Sequence, residues 1–382
     1  MLRATLLRSY SWILLTATCV VALILGAIAS STGSRDLLVA MTSASGFTCS
    51  AQGAPVTTPV KVTGASPDGT TDDYGAIQNA IDAAGGAGGG VVALPAGTFM
   101  IGRHLVLKNN VELTGVGPAT AIKAGPNFLS SQAPGGGYPI ITTAGASNTT
   151  IADLTADQSG VALNGSIIGR LSGYAVEALN SSNVVVDGVY VRNPFTYSIA
   201  IVGSTDFCVE NSNVLVSSTS GRYNQLDGIH VLDSNSGQVI NNTVVSGDDG
   251  LVAHSIGAAV FNVLYAGNTV HGGATDAGLD LAVGDFPIYG ITVEDNNFYS
   301  SLWGVRTAFY DNRSGAVHDI SISGNYVHRL SQGKNSPAMQ IGGTNGLGPI
   351  DNVVITNNQV CNAGPIALQP GSGNVVTGTT GC

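Results

Sequence analysis

The stretch "QVINNTVVSGDDGLVAHSIGAAVFNVLYAGNTV", residues 238–270, carries one short pattern twice. "QVINNTV" and "NVLYAGNTV" both end in Asn-Thr-Val, with Asn242 and Asn268 in matching places, and "GLVAHS" lies between them. Outward from this pair, "NVVVDGVYV", "FCVENSNV", "ITVEDNNF", "ISISGNYV" and "VVITNNQV" extend the first series, and Asn296, Asn325 and Asn358 repeat the asparagine. "AVEALN", "SIAIVG", "GIHVLD", "GLDLAVG", "GVRTAF", "AMQIGG" and "PIALQP" extend the second, at intervals of 22 to 34 residues. Strand-forming units at such a period, with no helices between them, predict a right-handed parallel β-helix. One coil cannot bury its own apolar face, whereas stacked coils share a continuous core. The expected fold class is therefore all-β, a solenoid with a short N-terminal capping helix. The recurrent asparagine fits a ladder at a coil corner, where stacked amides bond to one another and to the backbone.

Composition agrees. Of 382 residues 44% are hydrophobic, 10% charged and 6% aromatic, and 52 are glycine, which favours short strands and tight turns. A net charge of −10 argues against nucleic-acid binding through a basic surface. At the N-terminus, Arg3 and Arg8 precede the apolar run "WILLTATCVVALILGAIA", and "AIAS" offers a small-residue cleavage site. Residues 1–29 thus read as a signal peptide or a retained signal anchor, residues 30–54 as a linker arm, and residues 55–382 as the β-helix catalytic domain. The protein is expected to be secreted, or else held to a membrane by this segment alone, and to be a monomer. Cys361 and Cys382 could staple the last coil, while Cys208 is expected to be simply buried. No Cys/His spacing suggests zinc, and neither metal nor cofactor is expected. "TDD" at 71–73 precedes Ile77, Ala80 and Ile81 at helical spacing, so Asp72 or Asp73 is expected to cap a helix that "GGAGGG" ends.

The carboxylates raise the functional question. Asp227 immediately precedes Gly228, and Asp249 immediately precedes Gly250, each glycine opening a strand of the second series. Equivalent positions on successive coils lie about 4.8 Å apart. Asp227, Asp248 and Asp249 should therefore cluster on one exterior face, although 21 and 22 residues separate the pair from Asp227. Crowded carboxylates repel, so at least one should hold its proton unusually tightly. A raised acid beside an ionised partner suits glycosidic cleavage, in which one group protonates the leaving oxygen and another activates water.

On these residues a resemblance is plain. "LDG", "GDDG" and "GVR" resemble the motif series of the polygalacturonase-type glycoside hydrolases, family 28, whose signatures are N-T-D, G-D-D, G-H-G and R-I-K on successive coils. The opening "DGTTDDYGAIQNAI" resembles that family and the wider pectate-lyase-like superfamily. The resemblance implies Asp248 as general acid, Asp227 and Asp249 as the pair that holds and activates water, and inversion at the anomeric carbon. It also implies Arg306 as a grip on a sugar carboxylate. The chain departs from the signatures at Gln225-Leu226-Asp227, at Ala277 in place of the histidine, and at Ala308 in place of the lysine. His271, 22 residues after Asp249, is a candidate for the missing histidine. His254 and His230 could meet sugar hydroxyls. Asp276 and Asp280 could replace lost substrate contacts, bind a metal, or be solvated turn residues. Trp303, Phe309 and Tyr310 could stack on sugar rings.

Three functions follow as alternatives: a glycoside hydrolase acting on a pectin-like or other uronate-containing polysaccharide, a β-helix lyase or epimerase, and a non-catalytic carbohydrate-binding β-helix. Proton abstraction beside a carboxylate needs a base and often Ca²⁺, and basic residues near the aspartates are few: Arg222, Arg306 and Arg313.

Overall fold

The computed structural model describes residues 49, 59–159, 161, 174–216, 226–310, 313–343 and 348–382. The N-terminal apolar segment, nearly all of the expected arm and Arg222 lie outside them. Among the described residues no helix is long and apolar enough to cross a membrane.

The chain winds as a right-handed parallel β-helix, as the two repeat series predict. From Leu105 onward each turn contributes one strand to each of three parallel sheets, which hold twelve, twelve and ten strands among the described residues. A representative turn runs through Leu251–Ser255 in the third sheet, Val260–Ala266 in the first and Thr269–His271 in the second. It then re-enters the third sheet at Ala277–Val283. "GLVAHS" and its equivalents form this third sheet. Each unit of the other series is two strands rather than one. "QVINNTV" spans Asn235–Ile240 and Thr243–Val245, folded about Asn241 at φ 57°. Asparagine tolerates that left-handed conformation, so the corner forms without glycine or proline to mark it.

Register fixes what each face carries. Ile229 pairs with Leu251 and Leu251 with Leu279, and all three point into the core and are fully buried. Their neighbours one residue on, His230, Val252 and Asp280, pair in turn and face outward, and Asp280 pairs with Arg306 on the next coil. At the corner between the first and second sheets the asparagine ladder forms as expected. The backbone N–H of Asn242, Asn268, Asn296 and Asn325 each donates at 2.9 Å to the side-chain Oδ1 of the next ladder asparagine, ending at Asn358.

The helix α1, Tyr74–Gly86, closes the N-terminal end by burying Ile77, Ala80, Ile81 and Ala84. It runs through the first two glycines of "GGAGGG". Asp72 supplies the capping carboxylate, accepting from the Tyr74 N–H at 3.1 Å, while Asp73 turns back to accept from the Ser66 N–H. Cys361 and Cys382 are bonded, as expected. Cys208 is fully buried and also bonded to Cys49, which corrects its reading as a lone buried thiol. It faces outward on its strand, and the partner 159 residues away lies in a stretch without pattern.

Candidate functional site

The loops that lead from the second sheet into the third deliver the acidic residues. Gly228 N–H donates to the Asp249 carbonyl at 3.0 Å and Gly250 N–H to the Ala277 carbonyl at 2.9 Å, so Asp227, Asp249 and Ala277 are equivalent positions on successive coils. The glycines are required by close approach. A Cβ on Gly250 would collide with Val270 and stand 2.8 Å from the Gly278 carbonyl oxygen.

Asp227, Asp248 and Asp249 come together, with one oxygen from each within 4.8 Å of the others. Asp227 and Asp249 are buried, at 4% and 5% exposure, and Asp248 is half-buried. Asp227 Oδ2 lies 2.6 Å from His230 Nδ1, and His230 Nε2 lies 3.2 Å from His254 Nδ1. Asp249 accepts the Ala277 N–H on Oδ1 at 2.6 Å and Arg306 Nη2 on Oδ2 at 3.1 Å.

Electrostatics follow from this crowding. Burial first, then the facing Asp227 and Asp276 carboxylates, push the Asp248 carboxyl up to about 8, Arg306 opposing in part. Burial and then Asp280 raise Asp227 and Asp249 well above the usual carboxylate range. Burial lowers His230 to about 3 and His254 to about 4, so both rings are neutral at pH 7. Retained protons and one arginine relieve the repulsion within the cluster.

The other expected residues fall into different places. Arg306 is at the site, but its Nη2 is shared among Asp249, Asp280 and Tyr310 Oη, and its guanidinium packs over Trp303 at 5.0 Å. Asp280 has no exposed surface: its Oδ2 accepts from Arg306 at 2.9 Å and from Tyr310 Oη at 2.9 Å. In this arrangement it anchors Arg306 from beneath instead of facing a substrate, and it is not a solvated turn residue. Asp276 faces Asp248. His254 is half-buried beside His230, with Tyr310 5.6 Å away ring to ring. His271 ends a strand of the second sheet and stacks on Tyr299 at 5.3 Å, and its ring is not part of the carboxylate cluster.

Sequence reasoning missed Glu177, Tyr174 and Tyr197. Tyr174 stacks on Tyr197 at 5.4 Å, and Tyr197 stacks on His230 at 4.1 Å, clamping the imidazole that holds Asp227. Glu177 accepts from Thr142 Oγ1 at 2.7 Å, and burial, offset in part by that bond, raises it to about 7. It pairs with Ala200, which pairs with His230, so it belongs to the outward row that also carries Asp280 and Arg306. Following that row through the repeat would have found it.

A half-buried acid that keeps its proton, two buried carboxylates and a paired arginine thus lie together on one solenoid face, an arrangement capable of acid/base chemistry. Known proteins agree at the level of family. A family model described as "Rhamnogalacturonase A/epimerase, pectate lyase-like" matches residues 58–306. The chain belongs to that family.

Among curated relatives of this pectate-lyase-like chain, mannuronan C5-epimerase AlgE5 of Azotobacter vinelandii is 29% identical over 69% of the chain and 26% of its own length. The chain spans about a quarter of the length of such relatives. Among solved structures, an exopolygalacturonase from Thermotoga maritima aligns with a TM-score of 0.63 at 18% identity, covering 84% of this chain and 92% of that one. The Streptococcus pneumoniae surface protein and adhesin PfbA aligns with a TM-score of 0.62 at 17% identity, covering 85% and 92%. These structural likenesses speak to the fold alone.

Proposed function

We propose that the protein is an exported glycoside hydrolase that cleaves a pectin-like or other uronate-containing polysaccharide by acid/base chemistry. Asp248 protonates the leaving oxygen. Asp227 and Asp249 hold the water, with Asp249 kept in place by Arg306 and the Ala277 N–H, while Asp227 takes the proton as water attacks. The observation that carries this reading is the Asp248 carboxyl, held protonated to about 8 within reach of two further carboxylates. The oxygens lie closer than the roughly 6.5–9.5 Å between carboxyls in most inverting pairs. Inversion is therefore taken from the motif resemblance, and NMR of the first-formed anomer tests it. Export rests on the apolar N-terminal segment, and fractionation of the expressing cells tests that.

A second reading, C5 epimerisation or elimination on a polyuronate, is favoured by the relation to a mannuronan C5-epimerase over 69% of the chain. One experiment separates the two. The protein is incubated with a panel of pectic, alginate and neutral glycans while reducing ends, unsaturated-uronate absorbance and the ¹H NMR of C5 configuration are followed. New reducing ends without that absorbance support hydrolysis. Absorbance or inverted C5 signals overturn it in favour of the second reading, and unchanged glycans leave a binding protein.

A further inference from the structure

The acidic loops enter the third sheet at one end of its strands, and a different set of groups stands at the other end. Three successive strands there finish at Ser255, Val283 and Phe309, and the loops that follow lead to the first sheet. Each of these loops carries a large exposed apolar residue: Ile256, Phe286 and Tyr310. The last two loops are tied together. Gly315 N–H donates to the Gly284 carbonyl at 3.0 Å, and Arg313 forms an ion pair with Asp285. The Arg313 N–H donates to the Tyr310 carbonyl at 2.9 Å. The Tyr310 ring lies 5.6 Å from that of His254, and its hydroxyl donates to Asp280. A cation and three apolar side chains thus rim the outward face on which His254 sits.

We infer that Arg313 is a specificity-determining residue that grips the carboxylate of a uronate away from the scissile bond, exchanging Asp285 for it. This rests on the reading of the same cleft as a polyuronate site and assigns one of its carboxylate contacts. The first support is how the arginine is held. Asp285 is 58% exposed and Arg313 33%, and an exposed pair of this kind contributes little, so a ligand carboxylate can take the place of Asp285 at small cost. Arg306, by contrast, spends Nη2 on two carboxylates that are at most 7% exposed. The second support is reach. The Arg313 charge is felt at His254, where burial, then His230 and last Arg313 disfavour the imidazolium against Asp280 and Asp233. The ring stays neutral, so of these two groups the arginine carries the charge that a uronate would meet. The third is the company it keeps. The planar fork of a guanidinium matches a carboxylate, and the exposed rings of Phe286 and Tyr310 offer apolar faces to the C–H face of a sugar. Asp285 stands in for the ligand carboxylate while the cleft is empty, and therefore competes with it.

The test is calorimetric titration of the full-length protein with hexagalacturonate, with hexamannuronate and with their carboxyl-reduced forms. Every protein compared also carries Asp248→Asn, so that the ligand is not consumed. Arg313→Gln should weaken the better-bound acid by about tenfold or more in Kd, the worth of one charge-assisted hydrogen bond. The loss should be much smaller with the reduced oligomer, and Arg313→Lys should restore part of the affinity. Asp285→Asn should tighten the acid, because it frees the arginine. A merely structural ion pair would make the two single changes act alike. Weakening by both, no change with Arg313→Gln, or no binding of either acid overturns the proposal. The glycan panel keeps this separate from the hydrolase reading. Binding that depends on Arg313 without new reducing ends sinks hydrolysis and leaves the arginine's role standing, whereas cleavage with binding indifferent to Arg313→Gln does the reverse.

Discussion

Arg306 Nη2 lies 2.9 Å from Oδ2 of Asp280, a carboxylate with no exposed surface, and the same nitrogen reaches Asp249 at 3.1 Å. The arginine thus ties a buried anchor to one member of the acid/base trio. Burial works against its charge, but Asp280 and Asp249 outweigh that and strengthen its hold on the proton. Removing one partner of such a pair leaves an uncompensated charge in low dielectric. Arg306→Met is expected to lower unfolding free energy by about 3–5 kcal/mol in urea titrations. Arg306→Met/Asp280→Leu should recover the share of that loss that comes from stranding Asp280, while Asp249 still lacks its arginine.

Asp248 is held protonated by burial and by facing Asp227 and Asp276. Activity should therefore fall as pH rises through about 8. Asp248→Asn is expected to lower kcat by roughly 10²–10⁴-fold, the usual worth of a positioned acid. Asp276→Asn removes a facing carboxylate, so the alkaline limb of the kcat profile should move to lower pH. An unmoved limb would assign it to another group.

Stability should vary with pH in a definite direction. Glu177 and Asp248 have folded-state values of about 7 and about 8, above their unfolded ones, so between those limits the folded protein binds more protons and loses stability as pH rises. His230 and His254, lowered to about 3 and about 4, act oppositely but only below their unfolded value near 6.5. From pH 6.5 to 8 only the carboxylates act. Calorimetric Tm should fall across that range, and Glu177→Gln should flatten the first part of the fall.

Much of this was legible because a solenoid converts sequence period into adjacency. The spacing of Gly228 and Gly250 sufficed to bring Asp227, Asp248 and Asp249 together, and the repeated asparagine sufficed to place the ladder. What the period does not carry is the direction of a side chain's final contact. Register puts Asp280 beside Arg306, but whether that pair opens to a ligand or closes on itself depends on Trp303, which opens the same strand, and on Tyr310, which lies just past its end. Glu177 escaped notice because its equivalents on the next coils are Ala200, His230 and Val252, with no shared chemistry to mark the row. The corner at Asn241 was invisible for a local reason, since asparagine enters the left-handed region at little cost.

The ladder offers the sharpest stability test. Asn296 Oδ1 accepts from the backbone N–H and the side-chain Nδ2 of Asn268, both at 2.9 Å. Its Nδ2 donates to the Tyr265 carbonyl at 2.9 Å and to Asn325 Oδ1 at 3.0 Å. The side chain is 1% exposed, so truncation strands its partners where water does not readily replace the lost bonds. Each orphaned buried group costs about 1–3 kcal/mol. Asn296→Ala should therefore lose at least about 3 kcal/mol in denaturant titration. Thr243→Ala, an exposed change on the same face of the solenoid, should stay within about 0.5 kcal/mol of the parent. If the two variants unfold at the same denaturant concentration, the stacked amides are not what holds this corner, and packing of Val244, Val270 and Phe298 beside them must be.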